Sequence, residues 1–131
     1  MPIKKPYRYF YDQPQVINVA SDRLDDLLEG KAYNLIIMDI EGSEYFALMG
    51  MPSLLKSAEH LIVEFRPHHL KSVSGVTLAE FLSVILPYFG RCYIPSKNIT
   101  LTNKEAIASL REMYENGEFD DGLIFSKSQC F

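Results

Sequence analysis

Two unbroken apolar runs constrain this chain most. Leu35-Ile36-Ile37-Met38 ends on Asp39, and Leu61-Ile62-Val63 ends near Phe65. Neither alternates with polar residues, so each is expected to be buried on both faces, the habit of parallel strands beneath helices. Roughly twenty residues separate the runs, enough for a crossover helix. Glu44-Tyr45-Phe46-Ala47-Leu48-Met49 and Ser53-Leu54-Leu55-Lys56 supply that helix, broken near Gly50 and Pro52. A right-handed βαβ unit is the expected result.

The rest of the chain continues the alternation. Val16-Ile17-Asn18-Val19 reads as a short strand. Ser21 or Asp22 is the expected cap of a helix running to about Glu29, with Leu24, Leu27 and Leu28 on one face and Gly30 as its stop. Thr77-Leu78-Ala79-Glu80 and Thr102-Asn103-Lys104-Glu105 are capping boxes, in which hydroxyl and carboxylate satisfy each other's first free amides. Leu78, Phe81, Leu82 and Ile85 stripe the first of these helices; Ile107, Leu110 and Tyr114 stripe the second. Cys92-Tyr93-Ile94 and Gly122-Leu123-Ile124-Phe125 complete the strands. The order β-α-β-α-β-α-β-α-β predicts an α/β fold with helices on both faces of its sheet.

A chain of 131 residues makes one domain. Residues 1–15 form a separate aromatic and basic arm, with Lys4, Lys5 and Arg8 beside Tyr7, Tyr9, Phe10 and Tyr11. Residues 16–131 form the domain proper. A net charge of -4 makes nucleic acid a poor expectation as partner. No apolar run is long enough to span a bilayer, so no membrane is expected either. Met1-Pro2-Ile3-Lys4-Lys5 is followed by no hydrophobic segment of a signal peptide. Cys92 and Cys130 make no disulfide framework, which fits a reducing compartment, and a cytoplasmic protein is expected.

In open α/β sheets, ligands bind beyond the carboxyl ends of the strands. Asp39-Ile40-Glu41-Gly42-Ser43-Glu44 follows the first run and holds three carboxylates, candidates for a general base, a cation anchor or hard-metal ligands. The competing reading is a helix start at which Glu44 complements the macrodipole. Glu64-Phe65-Arg66-Pro67-His68-His69 follows the second run. Glu64 lies inside an apolar strand and needs a partner if buried. Arg66, two residues on and on the same strand face, is the obvious one, which makes a structural ion pair the competing reading there. His68 and His69 would point apart in an extended chain, so no metal is expected, although a metal-dependent hydrolase using Asp39, Glu41 and His68 is a third alternative.

The acidic turn also carries a resemblance. Leu24-Asp25-Asp26-Leu27-Leu28, the strand closing in Asp39-Ile40-Glu41-Gly42-Ser43-Glu44, and Leu48-Met49-Gly50 are similar to the FkbM family of S-adenosylmethionine-dependent methyltransferases. Ile62-Val63-Glu64-Phe65 and Leu123-Ile124-Phe125 resemble later strands of that family, so the likeness spans about residues 16–127. It implies a Rossmann-like, mostly parallel methyltransferase sheet, S-adenosylmethionine as cofactor, and O-methyl transfer to a small or glycan-like substrate. It places Asp39, Glu41, Glu44, Glu64 and His68 at the active site, Glu41 or Asp39 as base or substrate anchor and Glu64 and His68 on the opposite wall. The family's Gly-rich turn is missing: no two of the seven glycines are one residue apart. Only 38 residues precede Asp39, too few for three strands and their helices. The expectation is therefore a partial sheet lacking the Gly-rich cofactor half. Its exposed flank would be met by the aromatic arm, by a second copy in a homodimer, or by a complementing chain. A non-catalytic remnant or binding module, or one subunit of a split methyltransferase, is the alternative function.

Overall fold

The computed structural model describes residues 15–127. Five strands form one mixed sheet: β1 (Leu35–Met38), β2 (His60–Phe65), β3 (Arg91–Ile94), β4 (Ile99–Thr102) and β5 (Asp120–Ser126). Across the sheet they run in the order β1-β2-β5-β3-β4. Six α-helical segments are present among the described residues: α1 (Leu24–Leu27), α2 (Glu44–Met49), α3 (Pro52–Ser57), α4 (Pro67–His69), α5 (Leu78–Ser83) and α6 (Asn103–Asn116). A π-helical turn, Leu70–Ser74, follows α4. The aromatic and basic stretch through residue 14, and Cys130, lie outside the described residues. No helix of the described residues is long and apolar enough to cross a membrane.

The βαβ unit at the start of the domain forms as expected. β1 and β2 are parallel, with Ile36 beside Leu61 and Met38 beside Val63. The crossover is two helices because Gly50 ends α2 and Pro52 opens α3. Both capping boxes form, at Thr77 with Glu80 and at Thr102 with Glu105.

The sheet is not mostly parallel. Only β1 and β2 run parallel; β5 lies antiparallel between β2 and β3, and β4 is antiparallel to β3. The cause is local. Pro95–Lys97 is a single 3-10 turn, and Asn98 at φ 50 reverses the chain directly into β4. Asparagine tolerates that left-handed conformation. The β4 strand is a finding of the structure, since Thr102 reads in sequence only as a helix cap. Conversely, residues 16–19 form no strand, and Val16 is 96% exposed. Neither Ser21 nor Asp22 caps a long helix. α1 is one turn with Arg23 at its N-cap, and the carboxylate of Asp25 instead accepts hydrogen bonds from the backbone N–H groups of Ser53 and Leu54 at the start of α3.

The core lies on one face of the sheet. Side chains alternate along strands, and the register places Met38, Leu61, Val63, Phe65, Leu123, Phe125, Cys92 and Ile94 together. These pack with Leu48, Leu54 and Leu55 of α2 and α3, Phe81 and Leu82 of α5, and Ala106, Leu110 and Met113 of α6 in one cluster. The opposite row, Ile37, Ile62, Ile124, Tyr93 and Thr100, belongs to no such cluster among the described residues. The expectation of helices on both faces, and of β1 buried on both, is thereby corrected. β1 is an edge strand whose Leu35 and Ile37 are exposed.

Two tests follow from this packing. Leu123→Ala should cost about 2–5 kcal/mol of stability, while Thr100→Ala on the open face should stay within about 0.5 kcal/mol; urea unfolding compares them. The second concerns Glu105, whose carboxyl is held below its ordinary value, first by the backbone hydrogen bond from Thr102. A depressed carboxyl stabilises the fold above its unfolded pKa, and that contribution is lost as pH falls through the folded one. Glu105→Gln should therefore differ from wild type most at neutral pH, with the gap closing on acidification; unfolding midpoints across a pH series check this.

Candidate functional site

The chemistry-bearing residues meet at the carboxyl ends of β1 and β2. After Met38 the chain turns sharply, with Glu41 at φ 56 and Gly42 at φ 103. Gly42 is required twice over. Its backbone is left-handed, and an added Cβ would lie 2.7 Å from Cβ of Val73 and 3.0 Å from Cβ of His69. The missing side chain lets the acidic turn close onto the segment that follows β2. The hydroxyl of Ser74 donates to the carbonyl of Gly42 and ties the two together. This closure is what sets His69 beside Glu41.

Glu64 occupies the centre. Alternation along β2 turns it away from Leu61, Val63 and Phe65, yet it is only 8% exposed. A buried carboxylate needs compensation, and two groups supply it, Arg66 and His69. Arg66 Nε lies 3.0 Å from Glu64 Oε2, and its Nη2 lies 3.0 Å from Asp121 Oδ1. The Glu64 hydrogen bond raises the already high pKa of Arg66. The guanidinium also sits 4.4 Å from the ring centroid of Phe119. On the other carboxylate oxygen, His69 Nδ1 lies 3.3 Å from Glu64 Oε1, within ion-pair reach although not aligned as a hydrogen bond. The far nitrogen, Nε2, lies 3.8 Å from Glu41 Oε2. The chain Arg66–Glu64–His69–Glu41 thus runs from a half-buried cation through a buried carboxylate to an exposed one.

The remaining sequence candidates separate by environment. Glu44 is buried and accepts the backbone N–H of Ile40, so it closes its own turn. Asp39 is exposed at the end of β1, and one carboxylate oxygen from each of Asp39, Glu44 and Glu64 fall within 4.8 Å of one another. Glu41, Glu64 and His69 make a second such group. Both are oxygen-rich sets of the kind hard cations use, with Arg66 already on one oxygen of Glu64. His68 does not join them. It is exposed, and its carbonyl accepts from the Ser72 hydroxyl. The histidine on the wall is its neighbour His69. The sequence signal for this was Pro67, a helix-opening residue: once the chain leaves the extended state there, adjacency in a strand no longer decides which histidine points inward. Asp121 and Phe119 carry no motif and are brought in from the start of β5 by the antiparallel pairing.

The turn geometry can be tested apart from any activity. Gly42→Ala should destabilise by about 2–4 kcal/mol, from the clash and the left-handed backbone. Glu41→Gly should relieve strain and gain up to about 1 kcal/mol. Thermal melts of both variants check the signs.

No curated protein and no solved structure matches this chain. A family model described as the methyltransferase FkbM domain matches residues 3–93. That stretch contains β1, the acidic turn, the crossover, β2 with Glu64, the histidine segment and α5, which is most of the chain and nearly all of the site. The chain belongs to the FkbM methyltransferase-domain family.

Proposed function

We propose that this chain provides the acceptor side of an O-methyl transfer, with a small or glycan-like hydroxyl compound as acceptor and S-adenosylmethionine as the methyl donor of the family. The observation that carries it is the alignment of Glu64, His69 and Glu41 at the strand ends. Oxygen accepts a methyl group only as its O–H bond gives up the proton, so the acceptor side needs a positioned base. His69 Nε2 is that base, facing outward beside Glu41. Glu64 positions the ring through Nδ1, and Arg66 fixes Glu64. Asp39 and Glu41, both exposed, anchor the acceptor's hydroxyls.

The described residues do not form a cradle for the nucleotide of S-adenosylmethionine. Such a cradle needs glycines that let backbone approach the ligand at a strand-to-helix turn. Gly42 is filled by Val73 and His69, and no G-x-G occurs. No step is therefore derived through the cofactor. The parallel pair β1–β2 with its crossover is read as the second half of a Rossmann-like sheet, and the outer edge of β1, unpaired among the described residues, favours a second reading, a subunit of a split enzyme or a non-catalytic binding module.

Methyl transfer from labelled S-adenosylmethionine to a panel of hydroxylated small molecules and glycans tests the proposal. His69→Gln should lower turnover by about 10²–10⁴-fold, while folding remains intact by circular dichroism; undiminished turnover removes His69 as the base. Melting with S-adenosylmethionine separates the two readings. Ligand at 100-fold over Kd adds about 2.7 kcal/mol, a rise of roughly 5–15 °C for a domain of this size. A saturable rise would put a complete cofactor site within the chain. A melt unmoved at millimolar ligand, with no transfer to any acceptor, would leave the second reading standing.

A further inference from the structure

The two edges of the sheet are built differently. β4 is Ile-Thr-Leu-Thr, with Lys97 shortly before it and Lys104 shortly after. Short polar edges flanked by lysine resist pairing with other chains. β1 is Leu-Ile-Ile-Met, with no charge, no proline and no bulge. Among the described residues nothing pairs with its outer side. The side chains of Leu35 and Ile37, on the open face beside this edge, are themselves exposed, Ile37 to 68%. Apolar side chains exposed along an unpaired edge favour association.

We propose that the outer edge of β1 pairs antiparallel with β1 of a second copy of this chain, making one continuous sheet across a two-fold axis. The backbone sets the register. Successive residues of a strand direct their N–H and C=O groups to opposite sides. The carbonyl of Asn34 accepts from Glu59 and His60 on the β2 side. Leu35 and Ile37 therefore direct theirs outward. Pairing Leu35 of one copy with Ile37 of the other satisfies all four outward groups in both copies, with Ile36 opposite Ile36 on the axis. The same register keeps like faces together, so the exposed side chains of Leu35 and Ile37 cover each other.

Charge selects the same arrangement. β1 is preceded by Lys31 and followed by Asp39 and Glu41. Antiparallel pairing sets the end of β1 that Lys31 precedes beside the acidic end of the other copy's β1. Parallel pairing would set Asp39 against Asp39, and like charges facing each other across strands are unfavourable. The antiparallel arrangement is also closed, so it ends at a dimer and does not propagate.

Sedimentation of the full chain, combined with amide hydrogen exchange, tests this. The expected result is a reversible dimer whose population rises with concentration. The Leu35 and Ile37 amides should become protected in step with it, while the Ile36 amide is protected throughout. Ile37→Lys, at an exposed position that does not touch the core, should weaken dimerisation at least about tenfold. Ile99→Lys on the opposite edge should leave it unchanged. A chain that stays monomeric at about 100 µM, two decades above a micromolar Kd, overturns the proposal. In that case, protected Leu35 and Ile37 amides would mean that residues 1–14 cover the edge, and unprotected ones that it pairs with no copy of this chain. A dimer kept in Ile37→Lys, or weakened as much by Ile99→Lys, also overturns it.

Discussion

Glu64 is a carboxylate placed where water hardly reaches it. The effective penalty for burying an ion is several kcal/mol, and it is tolerated only when partners meet the charge. Two side chains meet it directly, and a third holds one of them. Arg66 comes from the next residue on the same strand face, His69 from the helical turn opened by Pro67, and Asp121 steadies Arg66 from β5. The arrangement of the strand ends is organised around that one group. The turn at Gly42 must close to bring Glu41 to His69. The antiparallel entry of β5 must bring Asp121 and Phe119 to Arg66. Each of these is a local choice of backbone that the buried charge makes worth keeping.

The sheet imposes the second constraint. All four helices that feed the core pack on one face, so stability comes from one layer of contacts while the site sits at its upper rim. Among the described residues, the uncovered face and the free edge of β1 belong to the same fact. A strand that reads as buried on both sides is found at the margin of the described structure, with apolar side chains exposed. This is the mismatch expected of a sheet that continues into another body, and it is why the partner question and the cofactor question are linked.

Much of this was legible in the sequence, and the failures have physical causes. Gly50 and Pro52 divide the crossover as read, because a helix cannot pass a proline at its interior. The two capping boxes set their helix starts to the residue. The Glu64–Arg66 pair followed from period-two geometry alone. β4 was hidden because Ile99-Thr100-Leu101-Thr102 carries no strong burial signal and because Asn98 makes a turn that only its left-handed backbone reveals. Val16-Ile17-Asn18-Val19 has strand composition but no packing partner among the described residues, and propensity without partners does not make a strand. The direction of β5 depends on tertiary pairing and leaves no periodic trace. His68 was expected on the wall opposite the acidic turn, but the chain turns helical at Pro67 and it is His69 that lies against Glu64. The members of the acidic turn divide between a structural role for Glu44 and exposed positions for Asp39 and Glu41. Burial decides that division, and composition does not show it.

The claim on which the account turns is that Glu64 orients the His69 ring so that Nε2 faces the acceptor. Long-range proton–nitrogen NMR correlations read the tautomer of a neutral histidine directly. The expected result is that His69 carries its proton on Nδ1, toward Glu64, with Nε2 unprotonated, and that Glu64→Ala removes this preference. A His69 ring that carries its proton on Nε2 in the native protein, or a tautomer unmoved by loss of the Glu64 carboxylate, would contradict it.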